Sequence, residues 1–162
     1  MTDKNTLRSH RCCFTGHRPE KLNISEITVK ELLKKAIKDA IDDGFVTFLS
    51  GVCRGIDLWA AKIVLEEKNN NANIRLICAS PYEGFEARWS EADKELYRAV
   101  LSRVDLVKYV CKHYSRSCFQ IRNVWMCDRA SRVIAAYNGE PGATKNTIDY
   151  AEKIGIKVIN II

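Results

Sequence analysis

Apolar and polar positions follow two different periods along this chain, and the points where one gives way to the other divide it into elements. From Val29 the apolar positions are Val29, Leu32, Leu33, Ala36, Ile37, Ala40 and Ile41, the i, i+3, i+4, i+7 rhythm of an amphipathic helix. Thr28, with Glu31 three residues on, predicts a capping box at its start, and Gly44 predicts its end. The short runs RCCF (11–14), FVTFLS (45–50), NIRLICAS (73–80), DLVKYVC (105–111), SRVIAAY (131–137) and IKVINII (156–162) read as strands. Between them, residues 56–67, 90–103, 117–130 and 144–154 read as helices, the second opened by Ser90 with Asp93.

Strands and helices therefore alternate, and no two strands lie close enough for a simple hairpin. That order implies parallel strands joined by crossovers. The expected fold is α/β: a single Rossmann-like domain over residues 1–162, with an open, mainly parallel sheet and helices on both faces. No internal repeat or linker interrupts it.

Composition narrows the class. The chain has 162 residues, 46% hydrophobic and 28% charged, ordinary for a globular protein. No apolar segment approaches a membrane span, and MTDKNTLRSHRCC lacks the apolar region of a secretion signal. A cytoplasmic location without membrane attachment is expected. The seven cysteines form no C-x-x-C pair, and His10, His17 and His113 have no ligand spacing, so reduced structural thiols and no metal site are expected. The net charge of +6 suits phosphate-bearing partners, from nucleotides to nucleic acid.

In an open parallel sheet, ligands bind beyond the carboxyl ends of the strands. Four unusual clusters fall there: TGHRPEKL (15–22), SGVCRGID (50–57), SPYEGF (80–85) and NGEPGATKNT (138–147). Gly51 and Gly55 lack a Cβ and can bring backbone close to a ligand, and the helix after Gly55 can aim open N–H groups at an anion. Arg54 can add charge. Asp57 suits either a ribose hydroxyl or the helix dipole. Arg18, held extended before Pro19, is a candidate phosphate or base contact, and His17 is a candidate for catalysis or for stabilising the turn. Gly142 and Thr144 open a second candidate anion site, unless Thr144 is simply the cap. Trp59, Trp89 and Trp125 suit the core or its rim, while Tyr82 and Phe85 suit stacking on a base. The chain has no G-x-G-x-x-G after a strand, no G-x-x-x-x-G-K-[ST] and no nucleophile elbow.

Together, TGHRPEKL, SGVCRGIDLWAAKIVL, SPYEGFEARW, IRN at 121–123 and NGEPGATKNTIDYAEKIGIKVI resemble the YpsA-like proteins of the SLOG superfamily, which includes DprA and the LOG-type nucleotide hydrolases. The resemblance runs from about Arg11 to Ile159. It implies a Rossmann-like nucleotide-binding fold with Ser50, Gly51, Arg54, Gly55 and Asp57 in the ligand site, for which Gly16 and Arg18 are further candidates. It also matches Gly142 and Thr144 to phosphate contacts, and Arg122 and Asn123 to the same cleft. LOG-type hydrolases carry a glutamate where this chain has Thr147, which removes the obvious carboxylate for N-glycosidic cleavage. The leading expectation is thus a sensor or regulator that binds a phosphorylated nucleoside, such as an ADP-ribose or NAD-related compound, and needs no cofactor. An N-glycoside hydrolase using Asp57 or Glu83 is one alternative. A DprA-like protein binding single-stranded DNA is another. By analogy with relatives, a homo-oligomer is expected.

Overall fold

In the computed structural model, residues 4–162 are described. Met1, Thr2 and Asp3, which open the stretch read for a secretion signal, lie outside the described residues. Six strands form one sheet: β1 (Arg11–Gly16), β2 (Thr47–Ser50), β3 (Arg75–Ser80), β4 (Leu106–Tyr109), β5 (Arg132–Ala136) and β6 (Lys157–Asn160). Their order is β4-β3-β2-β1-β5-β6, and every pairing is parallel. This is the Rossmann-like arrangement expected, and the sheet is wholly rather than mainly parallel. The helices are α1 (Lys4–Ser9), α2 (Glu26–Asp42), α3 (Ile56–Asn70), α4 (Glu91–Leu101), α5 (Cys118–Asp128) and α6 (Ala143–Lys153). Among the described residues no helix is long and apolar enough to cross a membrane.

Because successive side chains of a strand point to opposite faces, the sheet separates two cores. Cys12, Phe14, Phe48, Leu76, Cys78 and Ile134 face the helices α2, α3 and α4. Cys13, Leu49, Ala79, Val133 and Ala135 face α5 and α6. The seven cysteines are free thiols, five of them buried; Cys12, Cys13 and Cys78 lie in strands, where they pack as small apolar side chains. The central strands are buried on both faces, which is why they read as continuous apolar runs. Trp59 packs into the first core, and Trp89 packs partly buried against it.

The helix starts differ from expectation in two places. Thr28 does not cap α2. Ser25 does, accepting the Thr28 N–H at 3.2 Å while its hydroxyl meets that of Thr28 at 2.7 Å. The helix consequently begins three residues earlier than the apolar rhythm, because its first turn, Glu26–Thr28, is exposed and carries no core residue. Thr144 likewise is not a cap: Gly142 holds that position for α6 and Thr144 lies inside the first turn. Ser90 caps α4 as expected, accepting from the Asp93 N–H at 3.2 Å.

The link from β4 through α5 carries the chain from one sheet edge to its centre, where β5 lies beside β1. Loops leaving the two neighbouring strands must diverge there, and a crevice opens between them. The His17 N–H still bonds the Ala136 carbonyl at 3.1 Å, so the floor of the crevice is a continuation of the sheet. Ser25→Ala should lower stability by about 1 kcal/mol without changing the fold, as measured by urea unfolding.

Candidate functional site

The crevice is a cleft of about 390 Å³, and the loops beyond β1, β2, β3 and β5, with α5, all contribute to its walls. Gly16, Arg18, Arg54, Asp57, Arg122, Asn123, Gly142 and Thr144 line it, so residues up to 128 positions apart meet as the strand ends required. Ser50, Gly51 and Gly55 lie at the same rim but not in the lining.

Arg122 is deeply buried, only 3% exposed. Its guanidinium donates to the carbonyls of Gly51 and Ala79 (3.2 Å to the latter), to Asn123 Oδ1 (2.8 Å), and to Cys53 Sγ (3.4 Å). The missing Cβ of Gly51 has a specific use here. A methyl group at that position would lie 2.7 Å from Arg122 Nη1 and 2.8 Å from Asp57 Oδ2. Close approach at Gly51 therefore serves a protein side chain. Gly55 shows a comparable arrangement. It sits at φ +92, the left-handed region that favours glycine, and an added Cβ would meet Pro19 Cδ at 2.7 Å.

The β2-to-α3 turn is held from within. Ser50 Oγ donates to the Asp57 carbonyl at 2.7 Å and accepts the Val52 N–H at 3.2 Å. Val52 adopts φ +52 while fully buried, a strained geometry for a β-branched residue that surrounding contacts must enforce.

Of the two helix starts read as anion sites, α6 opens on the cleft through Pro141, Gly142, Ala143 and Thr144. Its first N–H groups have no partner within the helix. At α3, Pro19 covers Gly55, and Arg54 is engaged with Glu20 at 2.7 Å. Arg18 and Lys21 are different. Both are exposed and line the cleft, and among the described residues neither side chain has an ion-pair partner. The turn Pro19–Lys21 folds back so that the Lys21 N–H bonds the Arg18 carbonyl at 2.9 Å. That x-Pro turn was the sequence signal that could have placed Lys21 beside Arg18.

His17 is 7% exposed, lines the cleft, and leaves Nε2 without a partner. Its ring stacks on Tyr137 at 5.4 Å. Burial, together with the nearby Lys21, lowers its pKa and favours the neutral ring. A buried polar atom without a hydrogen bond costs about 1–3 kcal/mol, and in a cleft a ligand can supply the missing partner.

Residues 12–158 match the YspA SLOG family. The chain belongs to that family. A UPF0398 protein of Bacillus thuringiensis (strain Al Hakam) is 27% identical over 150 residues, covering 87% of this chain and 82% of its own length. A UPF0398 protein of Bacillus cereus (strain B4264) is similar to the same extent. The fold is similar to that of DNA processing protein A from Helicobacter pylori, described for its single-stranded DNA binding mode, with a TM-score of 0.66 at 17% identity over 96% of this chain and 67% of that one. DNA processing protein A from Streptococcus pneumoniae gives 0.62 at 17% identity over 94% of this chain. This chain spans 50% of the length of that protein.

Within this YspA SLOG chain, Thr147 is 2% exposed and turned into its own helix, donating to the Ala143 carbonyl at 2.9 Å. It is not part of the lining. Glu83, the other acid considered for hydrolysis, is exposed and also outside the lining. Asp57 is the carboxylate in the cleft, and burial pushes its pKa up to about 6, against the opposing pull of Arg122 and the Cys53 N–H. Tyr82 does not reach the cleft; it packs edge-on against Phe85, Tyr114 and Phe119. Phe85 does line it, with Trp89 and Phe119.

Two outcomes follow from this geometry. Arg122→Leu, which uncovers two carbonyls and strands Asp57, should cost about 3 kcal/mol by chemical denaturation. The raised Asp57 pKa means that its contribution to stability is present below the ordinary carboxylate range and is lost as pH rises through about 6. The stability advantage of Asp57→Asn over the parent protein should accordingly grow from about pH 4 to pH 6 and level off above pH 7, as read from urea midpoints.

Proposed function

We propose that the cleft binds a phosphorylated nucleoside and that the protein works as a nucleotide sensor or regulator in the cytoplasm. The observation that carries this reading is the unpartnered, buried Nε2 of His17, set in the cleft that Arg18, Lys21 and the start of α6 also line. Two cations and open helix amides favour an anion with several acceptor oxygens, and the imidazole adds a neutral hydrogen-bonding group. ADP-ribose and NAD-related compounds combine such groups with a nucleoside. A regulator rather than a hydrolase is favoured because Thr147 and Glu83 supply no carboxylate to the cleft.

Asp57 favours one second reading. A carboxyl that titrates near pH 6 is matched to general acid catalysis, so N-glycosidic cleavage would run through this residue. Release of free base from a nucleotide panel, abolished in Asp57→Asn, would replace the sensor with an enzyme. A single-stranded DNA partner, suggested by the fold shared with the Helicobacter protein, predicts oligonucleotide binding with a steep salt dependence.

The direct test is calorimetry with ADP-ribose and AMP on the full chain. Saturable binding is expected, with Arg18→Ala and Lys21→Ala each weakening it about tenfold through loss of a charge-assisted contact. Affinity that is unchanged in both variants would remove the proposal. In a thermal shift assay, a ligand at 100 times its dissociation constant should add about 2.7 kcal/mol of stability.

A further inference from the structure

The lining of the cleft is of two kinds. His17, Arg18, Lys21 and the start of α6 form one, and Phe85, Trp89 and Phe119 line the same space without an acid or base among them. We infer that these aromatic rings form a base subsite, which makes the ligand a purine nucleoside phosphate rather than a sugar phosphate. This inference rests on the phosphate reading proposed above.

The three rings come from two separate parts of the chain. Phe85 and Trp89 lie in the loop between β3 and α4, and Phe119 lies in the first turn of α5. Phe85 meets Trp89 at 5.1 Å and Phe119 at 6.3 Å, both edge-on. Tyr97, 3% exposed, supports Phe85 and Trp89 from behind, at 5.7 Å from each. The supporting ring is buried, whereas the three lining rings stay partly exposed. Edge-to-face packing of this kind fixes ring orientation, so the open surface is preorganised instead of collapsing into the core. Arg122 lies 5.7 Å from the centre of Phe119 and Phe85 is met by Tyr82, Trp89, Tyr97 and Phe119, so Trp89, met by Phe85 and Tyr97, is the ring with most freedom to stack.

Two further groups of the lining suit a ribose. Asp57 accepts one long bond, from the Cys53 N–H at 3.4 Å, and so keeps acceptor capacity for hydroxyl groups. Asn123 Oδ1 accepts from Arg122, and its amide NH2 can donate to a hydroxyl oxygen. Aromatic surface, hydroxyl acceptor and cation match base, sugar and phosphate. A purine buries more ring area on such a wall than a pyrimidine does.

The test is calorimetry of the full chain with ribose 5-phosphate, adenosine and AMP, repeated in Phe85→Leu and Trp89→Leu, which keep apolar volume but remove the π face. AMP should bind about tenfold more tightly than ribose 5-phosphate, the order that base stacking supplies. Both variants should lose most of that ratio while ribose 5-phosphate affinity holds. Trp89→Phe, the milder change, should keep AMP binding but lose the ligand-induced change in tryptophan fluorescence. Equal affinity for AMP and ribose 5-phosphate, or an advantage that survives both leucine variants, overturns the base subsite and leaves the phosphate reading standing. Adenosine binding without any response to phosphate keeps the base subsite and overturns the phosphate reading. Silence from all three ligands overturns both.

Discussion

The buried guanidinium of Arg122 is the constraint on which the rest of the site depends. A guanidinium cannot shed its charge, so burial is tolerable only where carbonyls and other acceptors surround it. Here those acceptors are supplied by the ends of two strands, through Gly51 and Ala79, and by its own neighbour Asn123. That requirement anchors the first half of α5 over the sheet rim, excludes a side chain at position 51, and brings positive charge against Asp57. Phe119, one turn before Arg122, takes its place in the cleft wall as a result.

A second set of contacts joins the loops after β1 and β2. Pro19 fills the space beside Gly55, Ile56 crowds Gly16, and Glu20 pairs with Arg54. The exposed ion pair is worth little by itself, but the two close approaches admit no side chain between the loops. Arg18 and Lys21 are thereby left pointing their charge at a cleft whose other wall is the start of α6.

The order of elements and the parallel sheet could be read from the sequence because central strands and amphipathic helices leave strong, different periodicities. The four strand-end clusters could be read as one edge for the same reason. Packing between those clusters could not. SGVCRGID looks like a loop built for a ligand, and only tertiary contact reveals that Gly51 makes room for Arg122 and Gly55 for Pro19. Val52 in a left-handed conformation had no local signal at all, since glycine or asparagine is the usual occupant. Trp89 and Phe119 escaped as site residues because an aromatic in a loop or a first helical turn has the same appearance whether it faces a core or a cleft. The start of α2 was misplaced because Glu26–Thr28 are exposed and carry no periodicity to count.

The crossover through α5 sets the order in which the molecule can be completed. The crevice exists only where β5 lies against β1, and the chain reaches β5 after building one flank of the sheet out to β4 and returning across its other face. No amino-terminal fragment that ends before the start of α6, however well ordered, contains both walls. The crevice therefore arrives late in synthesis and all at once, and its floor joins the earliest strand to one of the last.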